Sequence, residues 1–208
     1  MKLFNWWWNN MKDWKGNSKS TFVNIGASSH SATIREANDY YATDPTAIDD
    51  LFQVETFDEN VWECAGGGGH LANRMREFGK SVWNTDIIDR GCQDDIVDFL
   101  TCHKTYFGDI ITNPPYKYCT EFILKALELV AENHKVAMFL KIQTLESQER
   151  YEKIFSKYPP KTIYVYTKRK MCAMNGDFKG SSAVCYAWFV WHKGFKGDPV
   201  IKWLKGGE

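Results

Sequence analysis

Residues 109–116, Asp-Ile-Ile-Thr-Asn-Pro-Pro-Tyr, leave the backbone few paths. Four residues suited to a buried strand run directly into two prolines. Each proline fixes its own φ and pushes the residue before it towards extended backbone. The segment from Asn113 to Pro115 is therefore stiff. It holds a carboxamide, bare carbonyls and, at Tyr116, an aromatic ring at the end of a strand. A chain that contains this turn needs a sheet whose strand ends open on a site.

A second constrained stretch precedes it. Residues 61–65 read as a short buried strand, four glycines follow at 66–69, and a helix is expected over 70–78 with Gly79 as its C-cap. Glycine at such a turn lets backbone pass close to a ligand at a helix N-terminus. The next strand, 81–85, ends at Asp86, 19 positions after Gly67. An acid at that strand tip, about 20 residues beyond a glycine turn, is the ribose-binding arrangement of dinucleotide-type folds. No Lys-Ser or Lys-Thr follows the glycines, so a phosphate-gripping loop is not expected. Asp98 and Phe99 stand at the tip of a third strand, where an acid accepts from an adenine amino group and a ring packs on the base; a plain loop acid reads equally well.

Downstream, a helix is expected over 118–133, a nearly continuous apolar strand over 135–140, and an amphipathic helix over 144–157 stopped by Pro159 and Pro160. Two more strands follow at 162–166 and 183–191. Strands alternating with helices give a Rossmann-like α/β fold: an open, mostly parallel seven-stranded sheet with helices on both faces and an antiparallel last strand. Between the last two strands, residues 167–182 are basic, glycine-containing and long for a hairpin connection. They read as a target-contacting loop led by Lys168, Arg169 and Lys170, the alternative being a surface insertion. Near the N-terminus, Thr43 reads as the cap of a helix carrying Pro45 in its first turn, with Ala47, Ile48, Leu51 and Phe52 on its apolar face. Residues 1–20, with four tryptophans and no steady period, read as an arm or tail; residues 21–208 read as one domain.

Composition narrows the partners. Lys plus Arg and Asp plus Glu each number 26, yet residues 161–208 hold nine basic residues against three acids. The basic ends fit an anionic partner and equally a solvated surface. Residues 1–10 are rich in Trp and Asn rather than basic-then-apolar, so no signal peptide is expected. No run approaches the roughly 20 apolar residues of a membrane span. The six cysteines include no Cys-x-x-Cys pair, which fits reduced thiols in a cytoplasmic protein, and the adjacent Cys102 and His103 lack a second pair at metal-ligand spacing.

Taken in order, Glu63 to Gly69, Asp86, Asp98-Phe99 and Asn113-Pro114-Pro115-Tyr116 resemble the class I S-adenosylmethionine-dependent methyltransferases, and within them the amino-group enzymes acting on adenine N6. Asp-Tyr-Tyr-Ala-Thr-Asp-Pro at 39–45, Thr-Asp-Ile-Ile-Asp-Arg-Gly at 85–91 and Ala-Trp-Phe-Val-Trp at 187–191 further resemble small phage and prophage DNA methyltransferases. The resemblance implies S-adenosylmethionine as cofactor, with Glu63, Ala65, Gly67 and Gly69 at its methionine end and Asp86 on the ribose. It places Ile87, Asp98 and Phe99 around the adenine, and brings Tyr41 and Thr43 to the cofactor. It implies Asn113, Pro114, Pro115 and Tyr116 as the catalytic turn, and DNA as partner, with RNA as the alternative. If phage- or prophage-encoded, the protein would work in the bacterial cytoplasm. Gly66 and Gly68 depart from the family pattern and make the turn looser, and no separate target-recognition domain has room.

An exocyclic amine is a poor nucleophile because its lone pair is delocalised into the ring. Asn113 Oδ1 and the Pro114 carbonyl, accepting its N–H bonds, would stabilise positive charge where it develops, and a base flipped from a duplex would stack on Tyr116. Cytosine C5 methylation would need a Pro-Cys nucleophile, and none of the cysteines follows a proline. Cytosine N4 stays open, as do RNA or a protein glutamine as substrate. A catalytically idle nucleic-acid-binding module is the rival from another class.

Overall fold

The structure, a computed structural model, describes residues 42–170, 172–173, 178 and 184–205. The arm at 1–20, Tyr41 and most of the 167–182 loop lie outside the described residues. The elements run β1 (Ala42–Thr43), α1 (Thr46–Val54), β2 (Asn60–Glu63), α2 (His70–Glu77), β3 (Ser81–Asp86), β4 (Asp95–Ile96), β5 (Asp109–Thr112), α3 (Cys119–Leu129) and β6 (Lys135–Lys141). They continue with α4 (Gln148–Arg150), β7 (Thr162–Tyr166), β8 (Cys172–Ala173), β9 (Tyr186–His192) and β10 (Val200–Leu204).

Eight strands form one sheet in the order β10-β7-β9-β6-β5-β2-β3-β4. All neighbours are parallel except β9, which runs antiparallel to both β6 and β7. From β2 the chain winds outward to β3 and β4, then returns to place β5 on the other side of β2. Strand order therefore reverses between β2 and β5, and the carboxyl ends of these two strands flank a crevice. Ligands bind open α/β sheets at such a switch point. The glycine turn leaves one of these strands and the Asn-Pro-Pro-Tyr turn leaves the other.

The sheet is covered on both faces, as the apolar runs dictate. In β6, Val136, Met138 and Leu140 join one core with Phe122, Ile123, Ala126 and Leu127 of α3. Ala137 and Phe139 point the other way and join Ala47, Ile48 and Leu51 of α1 with Leu71, Ala72 and Met75 of α2. The alternation is the period of two of a strand, and both halves are apolar because helices lie on both sides. Strand β9 repeats it, with Phe189 and Trp191 on one face and Trp188 and Val190 on the other. Each such fully buried side chain contributes roughly 1.5–3 kcal/mol.

Three local expectations change. The sheet has an eighth strand, β10, in register with β7 from Val200 opposite Thr162 to Leu204 opposite Tyr166. Only Leu204 of its apolar residues is buried, while Val200, Ile201 and Trp203 are exposed, so the segment carries no core pattern. Residues 144–157 do not form one helix. A 3₁₀ turn at Ile142–Leu145, the short α4 and a π turn at Tyr151–Phe155 replace it. The cause is Arg150, whose guanidinium donates to the carbonyls of Gln143, Thr144 and Glu146, while Ser147 caps the next turn. Finally, Thr43 does not cap α1. Asp44 does this work, accepting from Thr46 N at 3.0 Å and Thr46 Oγ1 at 2.7 Å.

Candidate active site

The glycine turn is held from outside. Gly67 N donates to Asp86 Oδ2 at 2.8 Å, Gly66 N to the Thr85 carbonyl at 2.9 Å, and Gln93 Nε2 to the Gly67 carbonyl at 2.5 Å. Gly67 and Gly69 have φ of 51° and 78°, the region where a side chain is strained. A Cβ on Gly66 would lie 1.7 Å from Asn84 Oδ1. The extra glycine therefore does not loosen the turn, because it is required where Asn84 presses against the backbone.

Asp86 is 9% exposed. Besides Gly67 N it accepts from Ile88 N at 3.0 Å and pairs with Arg90 at 3.2 Å. The acid at the strand tip thus shapes the turn directly and has a remaining lone pair for a ligand hydroxyl. Ile87 beside it is 61% exposed, an apolar surface left open at the crevice. Glu63, at the end of β2, is buried, and desolvation pushes its carboxyl up to about 8. The Thr112 hydroxyl and Ala65 N–H pull the other way, and the nearby Asp86 charge adds to the rise. A cation brought beside this carboxyl would favour its ionised form.

Phe99 requires a correction. Its ring packs edge-on against Trp62 at 5.1 Å and tilted against Phe122 at 5.1 Å, and it is 2% exposed. It is a core residue and offers no face to a ligand. Asp98 is exposed at the start of a 3₁₀ turn, and its side chain accepts from Leu100 N at 3.0 Å.

The acceptor half lies at the end of β5. Asn113 Nδ2 donates to Thr43 Oγ1 at 2.7 Å and faces Cys172 Sγ at 3.8 Å. Asn113 Oδ1 is buried with no hydrogen-bond partner. Thr43 was assigned to the cofactor by resemblance; its hydroxyl is turned to Asn113 instead. Tyr116 donates to the Tyr186 hydroxyl at 2.9 Å and the two rings stack at 6.1 Å. Burial raises the Tyr116 phenol far above its ordinary range, so it stays protonated. Over the Tyr116 ring, at 4.1 Å, stands the ammonium of Lys141 from the end of β6.

Two described points of the 167–182 loop meet both halves. Strand β8 pairs antiparallel with β1, Ala42 opposite Ala173 and Thr43 opposite Cys172. Phe178 packs edge-on against His70, the first residue of α2 after the glycine turn, at 5.7 Å. Of the three basic residues named at its start, Lys168 and Arg169 are exposed. Lys170 is not available to a partner: its ammonium is 2.7 Å from Asp50 and 2.8 Å from Thr46 Oγ1, with the side chain 11% exposed. Nothing in the order of residues marked Lys141, Cys172 or Tyr186 as site neighbours, although Cys172 falls in a loop that its composition marked. Among the described residues no three His, Cys, Asp or Glu side chains group to hold a metal ion, and no helix is long and apolar enough to cross a membrane.

The arrangement is a Rossmann-like α/β fold, with a crevice at the switch point beside an Asn-Pro-Pro-Tyr turn. Solved structures share it. A protein of Agrobacterium tumefaciens assigned as an O-methyltransferase is 14% identical, with a TM-score of 0.54 over 77% of this chain and 86% of that one. One of Listeria monocytogenes, assigned as a class I S-adenosylmethionine-dependent methyltransferase, is 10% identical, with a TM-score of 0.54 over 89% and 71%. A SAM-dependent O-methyltransferase of Thermotoga maritima is 12% identical, with a TM-score of 0.52 over 80% and 71%. At such identities the likeness is one of fold. No protein-family model matches the sequence, and no curated protein matches it.

Proposed function

We propose that this protein transfers a methyl group from S-adenosylmethionine to the exocyclic N6 of adenine in DNA. The observation that carries this reading is Asn113 Oδ1, a buried acceptor without a partner, at the mouth of the sheet beside an aromatic ring. Leaving such an atom unpaired costs about 1–3 kcal/mol. An amino group that donates to it recovers that cost.

The crevice fits the cofactor. The strained glycines at 67 and 69 keep side chains out of the turn, Glu63 supplies a carboxyl able to ionise beside a cation, Asp86 keeps a free lone pair, and Ile87 offers apolar surface. Bound there, S-adenosylmethionine supplies an electrophilic methyl group. The chain's own residues then act on the target amine. Asn113 Oδ1 and the Pro114 carbonyl accept its N–H bonds, draw electron density back onto nitrogen and stabilise the charge that forms as it attacks. Pro114 and Pro115 keep that pair of acceptors rigid, which supplies the orientation part of the rate. Tyr116 gives the base a ring to stack on, worth about 1–3 kcal/mol.

Incubation with methyl-labelled cofactor and separate DNA, RNA and protein pools, followed by mass analysis of the modified bases, tests the reading. N6-methyladenine in DNA is expected. Label only in RNA or in protein glutamine would move the substrate, and cofactor binding with no transfer would leave an idle binding module. Asn113→Ala should lower transfer by at least roughly 100-fold while cofactor affinity stays within about twofold; loss of both together would show that the residue is structural.

A further inference from the structure

The carboxamide of Asn113 has two faces of opposite chemistry, an acceptor oxygen and a donor nitrogen, and nothing in the side chain itself decides which faces the substrate. Here the carboxamide nitrogen has its partners within the protein. It donates to Thr43 Oγ1 at 2.7 Å and faces Cys172 Sγ at 3.8 Å. The oxygen is left buried and unpartnered. Reversing the amide would put the donor nitrogen where the unpartnered oxygen stands and withdraw the acceptor. Thr43 and Cys172 are cross-strand partners in the β1–β8 pair, so they reach Asn113 as one unit. The sulfur lies among the Tyr116, Thr43 and Tyr186 hydroxyls, and burial raises its thiol pKa and keeps it neutral. Cys172 thereby touches both ends of the Asn-Pro-Pro-Tyr turn.

We infer that Thr43 and Cys172 are positioning residues: they fix the Asn113 carboxamide with its oxygen toward the substrate, and so make the site take an amino-bearing base in preference to a keto-bearing one. This rests on the functional reading above and adds to it the device that sets the polarity of the acceptor. A site with the amide free to turn would present either face, and would hold an amine and a carbonyl with less discrimination.

Thr43→Val keeps shape and removes the hydroxyl; Thr43→Ser restores the hydroxyl and removes a methyl. Transfer kinetics on adenine-containing DNA should show kcat for Thr43→Val reduced roughly 10- to 100-fold at unchanged cofactor affinity, with Thr43→Ser close to wild type. Adding Cys172→Ala to Thr43→Val should cost less than the product of the two single losses, because both act on one carboxamide. Unchanged kcat in Thr43→Val, or no rescue by serine, would overturn the inference.

A second readout needs no turnover. The Asn113 side-chain NH₂ protons, followed by NMR in the ligand-free protein, should exchange slowly with solvent in wild type and in Thr43→Ser, and distinctly faster in Thr43→Val. Equal exchange in all three would overturn the positioning role. Slow exchange in a protein that methylates no base would support the positioning and remove the functional reading alone.

Discussion

The ammonium of Lys141 stands 4.1 Å above the ring of Tyr116, on the surface proposed for the target base. Tyr116 is half-buried, and a cation over such a ring is worth about 0.5–2 kcal/mol, comparable with the ~1–3 kcal/mol of a stacked base. In the proposed complex a base stacked on this ring would displace the ammonium, which stays tethered at the strand end and would then face a backbone phosphate. Lys141→Met should therefore weaken DNA binding and reduce the slope of log affinity against log salt by roughly one, with cofactor affinity unchanged. An unaltered slope in a titration from low to moderate salt would show that Lys141 meets no phosphate.

Glu63 gives the protein a pH signature of its own. Its carboxyl has a folded pKa of about 8 against the ordinary 4.5, so between these values the folded state holds a proton that the unfolded state has lost. Its contribution to stability is complete below pH 4.5 and is lost as pH rises through 8. Chemical denaturation from pH 5 to 9 should show that decline, and Glu63→Gln should flatten it. Cofactor affinity should move the opposite way. S-adenosylmethionine is cationic and prefers the ionised carboxylate, so calorimetry should find binding tightening towards pH 8 with release of a proton, and Glu63→Gln should release none.

Asp86 joins the proposed cofactor site to the loop that shapes it. Because its carboxylate accepts from Gly67 N and Ile88 N and pairs with Arg90, Asp86→Ala removes several supports together. Cofactor affinity should fall at least tenfold, on the order of 1.4 kcal/mol. Asp86→Asn, which keeps one acceptor oxygen and loses the charge, should fall between that variant and wild type. Equal affinity in all three, measured by equilibrium binding, would remove Asp86 from the site.

The basic loop separates into two roles. Charge reversal at the exposed Lys168 and Arg169 should weaken nucleic-acid binding and lower its salt dependence. Lys170→Ala should act on stability, because it takes the ammonium away from the nearly buried Asp50 carboxylate, whose side chain is 7% exposed. A loss of order 3 kcal/mol is expected. Unfolding midpoints and salt slopes for the two sets of variants should change in one set each.

Much of this site was legible because Pro and Gly constrain the chain locally. The turn after Asn113 and the turn at 66–69 need no distant partner to be recognised, and both open on the crevice at the switch point. The rest depended on partners far along the chain. Thr43 read as a helix cap because its neighbours fit one, whereas its hydroxyl meets a residue 70 positions away. Phe99 read as a ligand face because a ring beside an acid fits either purpose, and only Trp62 and Phe122 decide between them. The helix expected over 144–157 failed for a related reason: Arg150 takes carbonyls that a continuous helix would have used.

The partners of the Asn113 amide lie 70 residues before it and 59 after it. During synthesis the turn itself emerges well before the strand that carries Cys172, and β9, which joins β6 to β7, emerges later still. A nascent chain therefore carries both turns before it carries the second partner of the Asn113 amide. A prematurely terminated product lacking residues beyond 170 loses that partner and strand β9, which lies between β6 and β7, together.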